Sequence, residues 1–339
     1  MRNMEHWHPV ALSAELGTKP IGVRLNGEEI ALFRTVRGEI GALQDQCPHR
    51  RMRLSCGAVR GDRLECPYHG WTFDCSGAGE SPGTPKLHAQ AKHYEVREQY
   101  GAVWIRRAGG ETAFPEFEVA GYHPACVLRH VASAPLEVVL DNFTEIEHTP
   151  TTHALLGYEL AHMPEVTTAV ESTEDSVYVF NRGPQKRIPL YFRALLGVRE
   201  GDMFVDEWTT RFSPVYSVYD QWWSDPKTGK ERRDRLRIYV FFNPIGPEET
   251  GLVTFAFLKS RLWSGGAVRA IVGPVLRKLV DMEVGLDVQM LSRLADKTPG
   301  IEGMRLSRFD KVLGLNRKRI ATVYRGERDE TIDTPALPH

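Results

Sequence analysis

The chain has 339 residues, of which 42% are hydrophobic, and its 43 basic and 44 acidic side chains leave a formal net charge of −1. This length favours two domains, and the balanced charge excludes the basic footprint of a nucleic-acid or anionic-membrane binder. Because no stretch approaches the ~18 consecutive apolar residues of a membrane helix and the amino terminus lacks the apolar segment of a signal peptide, we expect a cytoplasmic protein.

Short runs of β-forming residues, separated by turns, dominate the first third of the chain. Glycine- and proline-rich breaks, such as 75–79 and 81–85, lie between some of them, and this alternation is typical of small antiparallel domains. We therefore predict an antiparallel β domain over residues 1–108, followed by a linker that begins at Ala108. The predicted strands are 21–25, 30–33, 40–43, 63–66, 71–73 and 102–105.

Two short boxes inside this domain carry ligands for metal. The first is Cys-Pro-His-Arg with Cys47 and His49, and sixteen residues later comes Cys-Pro-Tyr-His-Gly-Trp with Cys66 and His69. Two thiolates and two imidazoles suit a [2Fe–2S] cluster with cysteine on one iron and histidine on the other. A Cys₂His₂ zinc site uses the same ligand types. The pairing of one Cys with one His in each box, and the turn residues Pro and Gly70 beside them, favour the cluster.

These boxes resemble the cluster-binding boxes of the Rieske-type non-haem iron oxygenases. Respiratory Rieske proteins are similar, but a disulfide joins their two ligand loops. In this chain Met52 and Tyr68 occupy the two positions of that disulfide. The resemblance therefore implies an oxygenase-type cluster, with a potential lower than that of the respiratory proteins.

A second group of candidate ligands lies at 141–153. Glu145 and His148 are three residues apart, so a helix would place them on one face, and Pro150 should stop that helix so that His153 reaches the same point. Two imidazoles with one carboxylate form the facial triad of non-haem Fe(II) oxygenases. The stretch also resembles the mononuclear-iron motif of the Rieske oxygenases, in which Asp141, Glu145, His148 and His153 occupy the four motif positions.

Glu145 departs from the family pattern, which usually has Asp at this position. The resemblance implies that this residue does not bind iron but accepts a hydrogen bond, across a subunit boundary, from the cluster ligand His69. A glutamate side chain is one methylene longer than aspartate, so the bridge is expected with altered geometry. A solvated glutamate without such a role is the alternative.

The remainder of the chain, 109–339, is predicted to be a catalytic domain with an antiparallel sheet flanked by helices. Strand-like runs occur at 176–180, 204–209, 237–242 and 252–258, and a helical segment follows at about 267–295, where Pro274 should break or kink the first turns. With the β domain before it, the predicted fold class is α+β.

The third ligand of the triad is predicted on that last helix. Positions 280, 284, 287, 291 and 294 form one stripe, in which four residues are Val or Leu and the fifth is Asp287. A carboxylate on a buried stripe is unfavourable unless it is paired or binds metal. Asp281 is the alternative ligand, and a pair between Asp287 and an arginine such as Arg293 is the alternative role; Glu283 is placed on the opposite side of the helix.

The resemblance implies a terminal oxygenase component that uses O2 to hydroxylate or demethylate a small organic substrate at Fe(II). It further implies a homotrimer in which the cluster of one subunit supplies the iron of its neighbour. No glycine-rich dinucleotide fingerprint is found, so NAD(P)H is expected to act through a separate ferredoxin or flavin-containing reductase. The length favours the shorter monooxygenase and demethylase group. A Rieske electron carrier without an oxygenase site, and a zinc-stabilised binding protein, remain as alternatives.

Overall fold

The computed structural model describes residues 2–262 and 265–328, which form two compact units. The first unit contains Arg2–Pro115 together with the short segment Asn243–Pro247. The second contains Glu116–Phe242 and the described residues from Glu248 onward. The first is built from antiparallel sheets and the second from one antiparallel sheet with helices, which confirms the predicted α+β class. No helix in the described ranges is long and apolar enough to span a membrane.

Three small sheets make up the first unit, with strand orders β1-β11-β10, β2-β3-β4 and β5-β6-β7-β8-β9. The turn between β2 and β3 shows how the sequence sets the register: Asn26 and Gly27 both have positive φ angles, of 49° and 78°, as a two-residue type I′ hairpin requires. The strands are β1 (His8–Leu12), β2 (Ile21–Leu25), β3 (Glu28–Arg34), β4 (Ile40–Gln44), β5 (Ala58–Arg60), β6 (Arg63–Glu65), β7 (Thr72–Phe73), β8 (Ala78–Glu80), β9 (Ala89–Gln90), β10 (Tyr94–Gln99) and β11 (Ala102–Arg107).

The second unit is organised around a seven-stranded sheet with the order β12-β18-β17-β16-β15-β14-β13. Alternate residues of β15 lie on one face, and Phe204, Asp206 and Trp208 on that face are all buried, as the two-residue period of a strand dictates. The strands are β12 (His123–Ala132), β13 (Thr167–Ser172), β14 (Ser176–Pro184), β15 (Met203–Phe212), β16 (Val215–Ser224), β17 (Glu231–Gly246) and β18 (Glu249–Ser260).

Six α-helices accompany this sheet: α1 (Leu136–Phe143), α2 (Thr149–Thr152), α3 (Leu190–Leu196), α4 (Gly265–Ala267), α5 (Gly273–Ser292) and α6 (Val312–Arg319). A π-helical turn, Val268–Val272, separates α4 from α5 and ends two residues before Pro274. The helical geometry thus changes near the proline that was expected to disturb it. The apolar stripe predicted for α5 extends one position beyond the end of the helix. Leu294 lies beyond the helix and is 44% exposed.

The prediction of a helix that carries Glu145 and His148 and ends at Pro150 is wrong. Helix α1 ends at Phe143, and Glu145 lies in the turn that follows. Pro150 is in the first turn of α2. Proline is tolerated there because the N–H groups of the first turn have no hydrogen-bond acceptor within the helix, so its missing N–H breaks no bond. The change of direction occurs instead at His153, whose backbone is extended (φ −79°, ψ 143°).

Candidate active site

The two cysteine–histidine boxes form loops with the same backbone hydrogen bonds. In the first, the N–H of Cys47 donates to Met52 O (2.8 Å) and the N–H of Arg51 donates to Cys47 O (2.8 Å). In the second, Cys66 donates to Trp71 O (2.7 Å) and Gly70 to Cys66 O (3.1 Å). The residue four positions after each cysteine has a left-handed φ, 61° at Arg51 and 68° at Gly70. Each cysteine is thus held at the start of a tight, closed turn.

The four candidate cluster ligands separate into a buried pair and an exposed pair. Cys47 and Cys66 are 1% and 2% exposed, and their thiols hydrogen-bond to each other. His49 and His69 are exposed, with ring centroids 4.6 Å apart. Two thiols at one end and two imidazoles at the other match the needs of a binuclear cluster with different ligands on its two irons.

The thiols and the imidazoles of this group have different surroundings. Burial raises the pKa of Cys47 to about 11, so the positive charge of bound iron is needed to hold the thiolate form. Trp71 stacks on His49 with centroids 4.8 Å apart and nearly parallel rings, and Tyr68 lies 3.8 Å from the ring of His69. The residues therefore fit a [2Fe–2S] cluster whose histidine end faces the surface.

In the second unit, His148, His153 and Asp287 bring one ligand atom each to a common point. Nε2 of His148 lies 3.0 Å from Nε2 of His153, and Oδ1 of Asp287 lies 3.3 Å and 3.4 Å from these two nitrogens. Three ligands at right angles around a metal with bonds of ~2.1 Å are separated by about 3 Å. The three residues, which form a possible metal-binding group, therefore fit one face of an octahedral iron site.

Both histidines of this group also contact a carboxylate through the other ring nitrogen. Nδ1 of His148 is hydrogen-bonded to Oε1 of Glu145, and Nδ1 of His153 lies 2.6 Å from Oε2 of Glu283. Carboxylates in this position fix the ring orientation and make the metal-facing nitrogen more basic. Although burial opposes it, hydrogen bonding to Asp287 and Glu145 raises the pKa of His148 to about 10. The site thus favours a cation at its centre.

Glu283 was not predicted as a site residue, because it was expected on the opposite side of the helix. It is buried on α5, 7% exposed, one turn before Asp287, and Oε1 accepts a hydrogen bond from the N–H of Leu155 (3.1 Å). The signal was the spacing of four residues between Glu283 and Asp287, which places two carboxylates on one helix face. Asn142 was also missed as a site residue. Its Nδ2 donates to Asp287 Oδ1 (3.0 Å).

The other predicted residues lie around this group in different ways. Asp281, the alternative ligand, is 59% exposed in its side chain and pairs with His130 (2.9 Å). Asp141 receives two hydrogen bonds from Arg317, of 2.7 and 2.6 Å, and so anchors α1 to α6. Glu145 is partly buried against His148, whereas its implied partner His69 belongs to the other unit.

The chain is similar to known proteins in sequence and in fold. The family model for the Rieske [2Fe-2S] domain matches residues 6–95, which include both boxes. The vanillate O-demethylase oxygenase subunit of Pseudomonas sp. (strain HR199 / DSM 7063) is 30% identical over 235 residues, which cover 62% of this chain and 63% of that protein. The chain therefore contains a Rieske [2Fe-2S] domain and is similar to an oxygenase subunit of the Rieske type.

Further relatives of this chain match over shorter stretches or in fold. Methylxanthine N1-demethylase NdmA of Pseudomonas putida is 34% identical over 161 residues, 42% of this chain and 45% of that protein. The chain thus spans less than two thirds of the length of these curated relatives. A crystal structure of dicamba monooxygenase bound to 3,6 dichlorosalicylic acid has a TM-score of 0.78 at 18% identity, with 95% of this chain and 97% of that chain covered. This likeness shows a common fold.

The second unit contains a cavity of about 110 Å³ beside the triad. One water molecule needs roughly 10–15 Å³ of such space, so the cavity has room for more than a single water. Its lining is mainly apolar, with Asp206 and Gln221 among the few polar groups on the side of the sheet. The lining comes from three places: the segment 142–157 (Asn142, Phe143, Glu145, His148, Thr149, His153, Leu156 and Gly157), the sheet (Phe204, Asp206, Trp208, Tyr219, Gln221, Leu236, Ile238 and Val240) and α5 (Leu279, Val280, Glu283, Val284 and Asp287).

Proposed function

We propose that this protein is a terminal oxygenase component, which hydroxylates or oxidatively demethylates a small organic substrate with O2 and electrons from a separate reductase. The observation that carries the proposal is the meeting of His148, His153 and Asp287 within 3.4 Å of one another, at the edge of a mainly apolar cavity. Iron(II) bound by these three would supply O2 activation, and the cluster bound by Cys47, His49, Cys66 and His69 would supply single electrons.

The protein's own groups prepare this chemistry by holding the ligands in place. Glu145 and Glu283 keep Nε2 of each histidine directed towards the common point, because Glu145 is hydrogen-bonded to Nδ1 of His148 and Oε2 of Glu283 lies 2.6 Å from Nδ1 of His153. Lys186 Nζ donates to the backbone oxygens of Thr149 (3.1 Å) and His153 (2.5 Å), which fixes the segment that carries the triad. The apolar side chains of the cavity exclude water from the substrate and position it beside the triad.

The overall reaction balances with two electrons for each O2. For demethylation of a methyl ether, R–OCH3 + O2 + 2 e⁻ + 2 H⁺ gives R–OH, formaldehyde and water. NAD(P)H is the source of both electrons. It binds a separate flavin-containing reductase and not this chain, and the reductase passes the electrons on directly or through a ferredoxin. The similarity to the vanillate O-demethylase oxygenase subunit and to methylxanthine N1-demethylase NdmA supports the monooxygenase and demethylase group of the family.

Electron transfer is proposed to take place between subunits of a homotrimer. In that assembly His69 of one subunit donates a hydrogen bond to Glu145 of the next. Support comes from the exposure of His69 and from the contact of Glu145 with His148, which would join a cluster ligand to an iron ligand through one carboxylate. We also propose that residues 1–108 and 109–339 are the two folding domains. A reducing cytoplasm as the location is supported by five cysteines without disulfides.

The test begins with metal and sulfide counts on anaerobically purified protein. About three irons for every two acid-labile sulfides are expected for a cluster with a mononuclear iron. About two irons, unchanged after Fe(II) is added, would indicate an electron carrier and contradict the proposal. Zinc without sulfide would contradict both sites.

The variant His153→Ala then tests the mononuclear site separately. We expect it to keep the visible absorption of the cluster, to lose one iron per chain, and to lose formaldehyde formation with methoxy- and N-methyl-substituted aromatic substrates. The matched control is His162→Ala, because His162 is a surface histidine paired only with nearby Glu165 (2.9 Å). Unchanged iron content in His153→Ala would contradict the assignment of this ligand.

A further inference from the structure

Three side chains with polar atoms on the sheet side of the cavity have no part in the proposed iron chemistry. Asp206 and Gln221 are directly opposite each other on β15 and β16, and Gln221 Nε2 donates to Asp206 Oδ1 (3.2 Å). Trp208 follows two residues after Asp206 on the same face, and all three line the cavity. Because they project from adjacent positions of one sheet face, they form a single polar patch in an otherwise apolar surface.

This patch contains hydrogen-bonding atoms that the protein itself leaves unpaired. Trp208 is 3% exposed and its indole Nε1 has no hydrogen-bond partner, and Gln221 is 8% exposed with Oε1 also unpaired. An unpaired buried donor or acceptor costs about 1–3 kcal/mol, so such atoms are rare unless a ligand or water completes them. The patch offers one unpaired donor, from Trp208, and one unpaired acceptor, from Gln221, to a molecule in the cavity.

The charges around the cavity exclude some classes of ligand. Within the described part of the chain, the charged residues that line it are the acids Glu145, Asp206, Glu283 and Asp287, together with the two histidines, and no lysine or arginine is among them. On the sheet side, a substrate carboxylate would therefore meet Asp206 without a lysine or arginine to bind it. Burial raises the pKa of Asp206 to about 7, so near neutral pH this carboxyl is present partly in its uncharged form, which donates a hydrogen bond.

We propose that Asp206, Trp208 and Gln221 form a substrate-recognition subsite for an uncharged group that both donates and accepts hydrogen bonds, such as a phenolic hydroxyl or a lactam. The proposal rests on the proposed function, because it takes the cavity to be the substrate pocket. Trp208 Nε1 donates to the acceptor of this group, and Gln221 Oε1 accepts from its donor, with the Gln221 amide held by Asp206 through Nε2. The polar end of the substrate binds at the sheet and directs the opposite, apolar end towards the triad.

The experiment measures binding and needs no turnover. Calorimetric titration of anaerobic holoprotein uses four probes of similar size: phenol, which donates and accepts; anisole, which only accepts; toluene, which does neither; and benzoate, which is anionic. We expect anisole to bind about tenfold more tightly than toluene, which is the effect of one additional buried hydrogen bond. Phenol, which makes a second hydrogen bond, should bind about tenfold more tightly again, and benzoate should be the weakest. Equal affinities for phenol and toluene, or tighter binding of benzoate, would overturn the proposal.

Variants identify which groups give this discrimination. Trp208→Phe keeps a large aromatic ring but removes the N–H, and it should weaken phenol and anisole about tenfold while leaving toluene unchanged. Gln221→Leu, which removes the unpaired acceptor, should remove the advantage of phenol over anisole. The control is Trp222→Phe, because Trp222 lies next to Gln221 but points to the other face of β16, where Arg235 covers its ring (4.0 Å). A decrease of equal size for all probes in Trp208→Phe would show only a packing role and contradict the subsite.

Metal counts on the same samples separate this proposal from the proposed function. Wild-type protein with three irons per two sulfides that does not discriminate phenol from toluene contradicts the subsite alone. Protein that discriminates the probes but has no mononuclear iron contradicts the oxygenase function and supports a polar binding site in this cavity.

Discussion

Oε2 of Glu283 lies 2.6 Å from Nδ1 of His153, and Glu283 precedes Asp287 by one turn of α5. A single helix therefore provides both Asp287, the proposed third iron ligand, and Glu283, the carboxylate that orients the ligand His153. The first histidine has the same kind of support from Glu145. Each imidazole thus lies between a carboxylate and the proposed metal position, an arrangement that fixes the tautomer and strengthens the ligand.

The first prediction concerns this second carboxylate. Glu283→Gln keeps the shape of the side chain but removes its charge, and we expect the affinity for mononuclear iron to fall ten- to hundredfold, in the range of about 10–100 that such outer carboxylates contribute. The measurement is competition for Fe(II) with a chelator, with the cluster absorption as an internal reference. Asp281→Asn is the matched control, because Asp281 is on the same helix but 59% exposed. Equal iron affinities for the two variants would contradict a positioning role for Glu283.

The second prediction concerns Glu145. It supports His148, and it is proposed to lie on the path of the electrons from His69 of a neighbouring subunit to the iron. Glu145→Gln can still reach the Nδ1 of His148, so both metal sites should be retained, but the neutral amide should slow electron transfer from cluster to iron by about tenfold or more. Glu145→Ala should slow it further and also weaken iron binding, since His148 loses its carboxylate.

Single-turnover mixing of reduced protein with O2 and substrate measures this transfer, followed by the loss of the reduced-cluster signal in electron paramagnetic resonance. Glu147→Gln is the control, because Glu147 is exposed two residues away. A rate for Glu145→Ala equal to that of wild type would remove the bridging role.

The third prediction is a pH dependence that arises from Asp206. Burial raises its pKa in the folded protein to about 7 from an ordinary value of 3.8. Between these values the folded state holds a proton that the unfolded chain has released. The free energy of unfolding should therefore fall as pH rises from about 4 to about 7, by up to about 4 kcal/mol at ~1.4 kcal/mol per pKa unit, and change no further through this group above pH 7.

The measurement compares urea unfolding of wild type and Asp206→Asn across this range. The asparagine variant cannot ionise, so the difference in stability should grow in its favour from pH 4 to pH 7. A difference that stays constant with pH would show that Asp206 does not titrate in this window.

The fourth prediction concerns the space beside the second ligand box. A Cβ on Gly57 would overlap the carbonyl oxygen of Glu65 and lie 3.0 Å from Leu54 O, and Glu65 directly precedes Cys66. Gly57→Ala should force this backbone apart, destabilise the first unit by about 3 kcal/mol, and lower the cluster content. Gly17→Ala is the control, since nothing lies within 4 Å of a Cβ there. Thermal unfolding and sulfide counts provide the comparison, and equal values for the two variants would contradict it.

The sequence by itself determined the parts of this protein that depend on near neighbours in the chain. Each ligand box is a closed turn made by residues within five positions of its cysteine, so its chemistry could be predicted from the motif. His148 and His153 are likewise brought together by one short segment. Asp287 was found because a carboxylate on an apolar helix stripe is unfavourable without a partner. The structure places it with the two histidines, while their binding of iron stays a prediction.

Only the tertiary structure decided which groups surround these ligands. Glu283 was assigned to the wrong side because the sequence does not show how wide a face of α5 is buried, and the helix buries Leu279 and Val280 as well as Val284. The patch of Asp206, Trp208 and Gln221 depends on the register of β15 with β16, and on the position of α5 at the same cavity. Burial and strand register arise from contacts between residues far apart in the chain, and these decide which polar groups face the substrate.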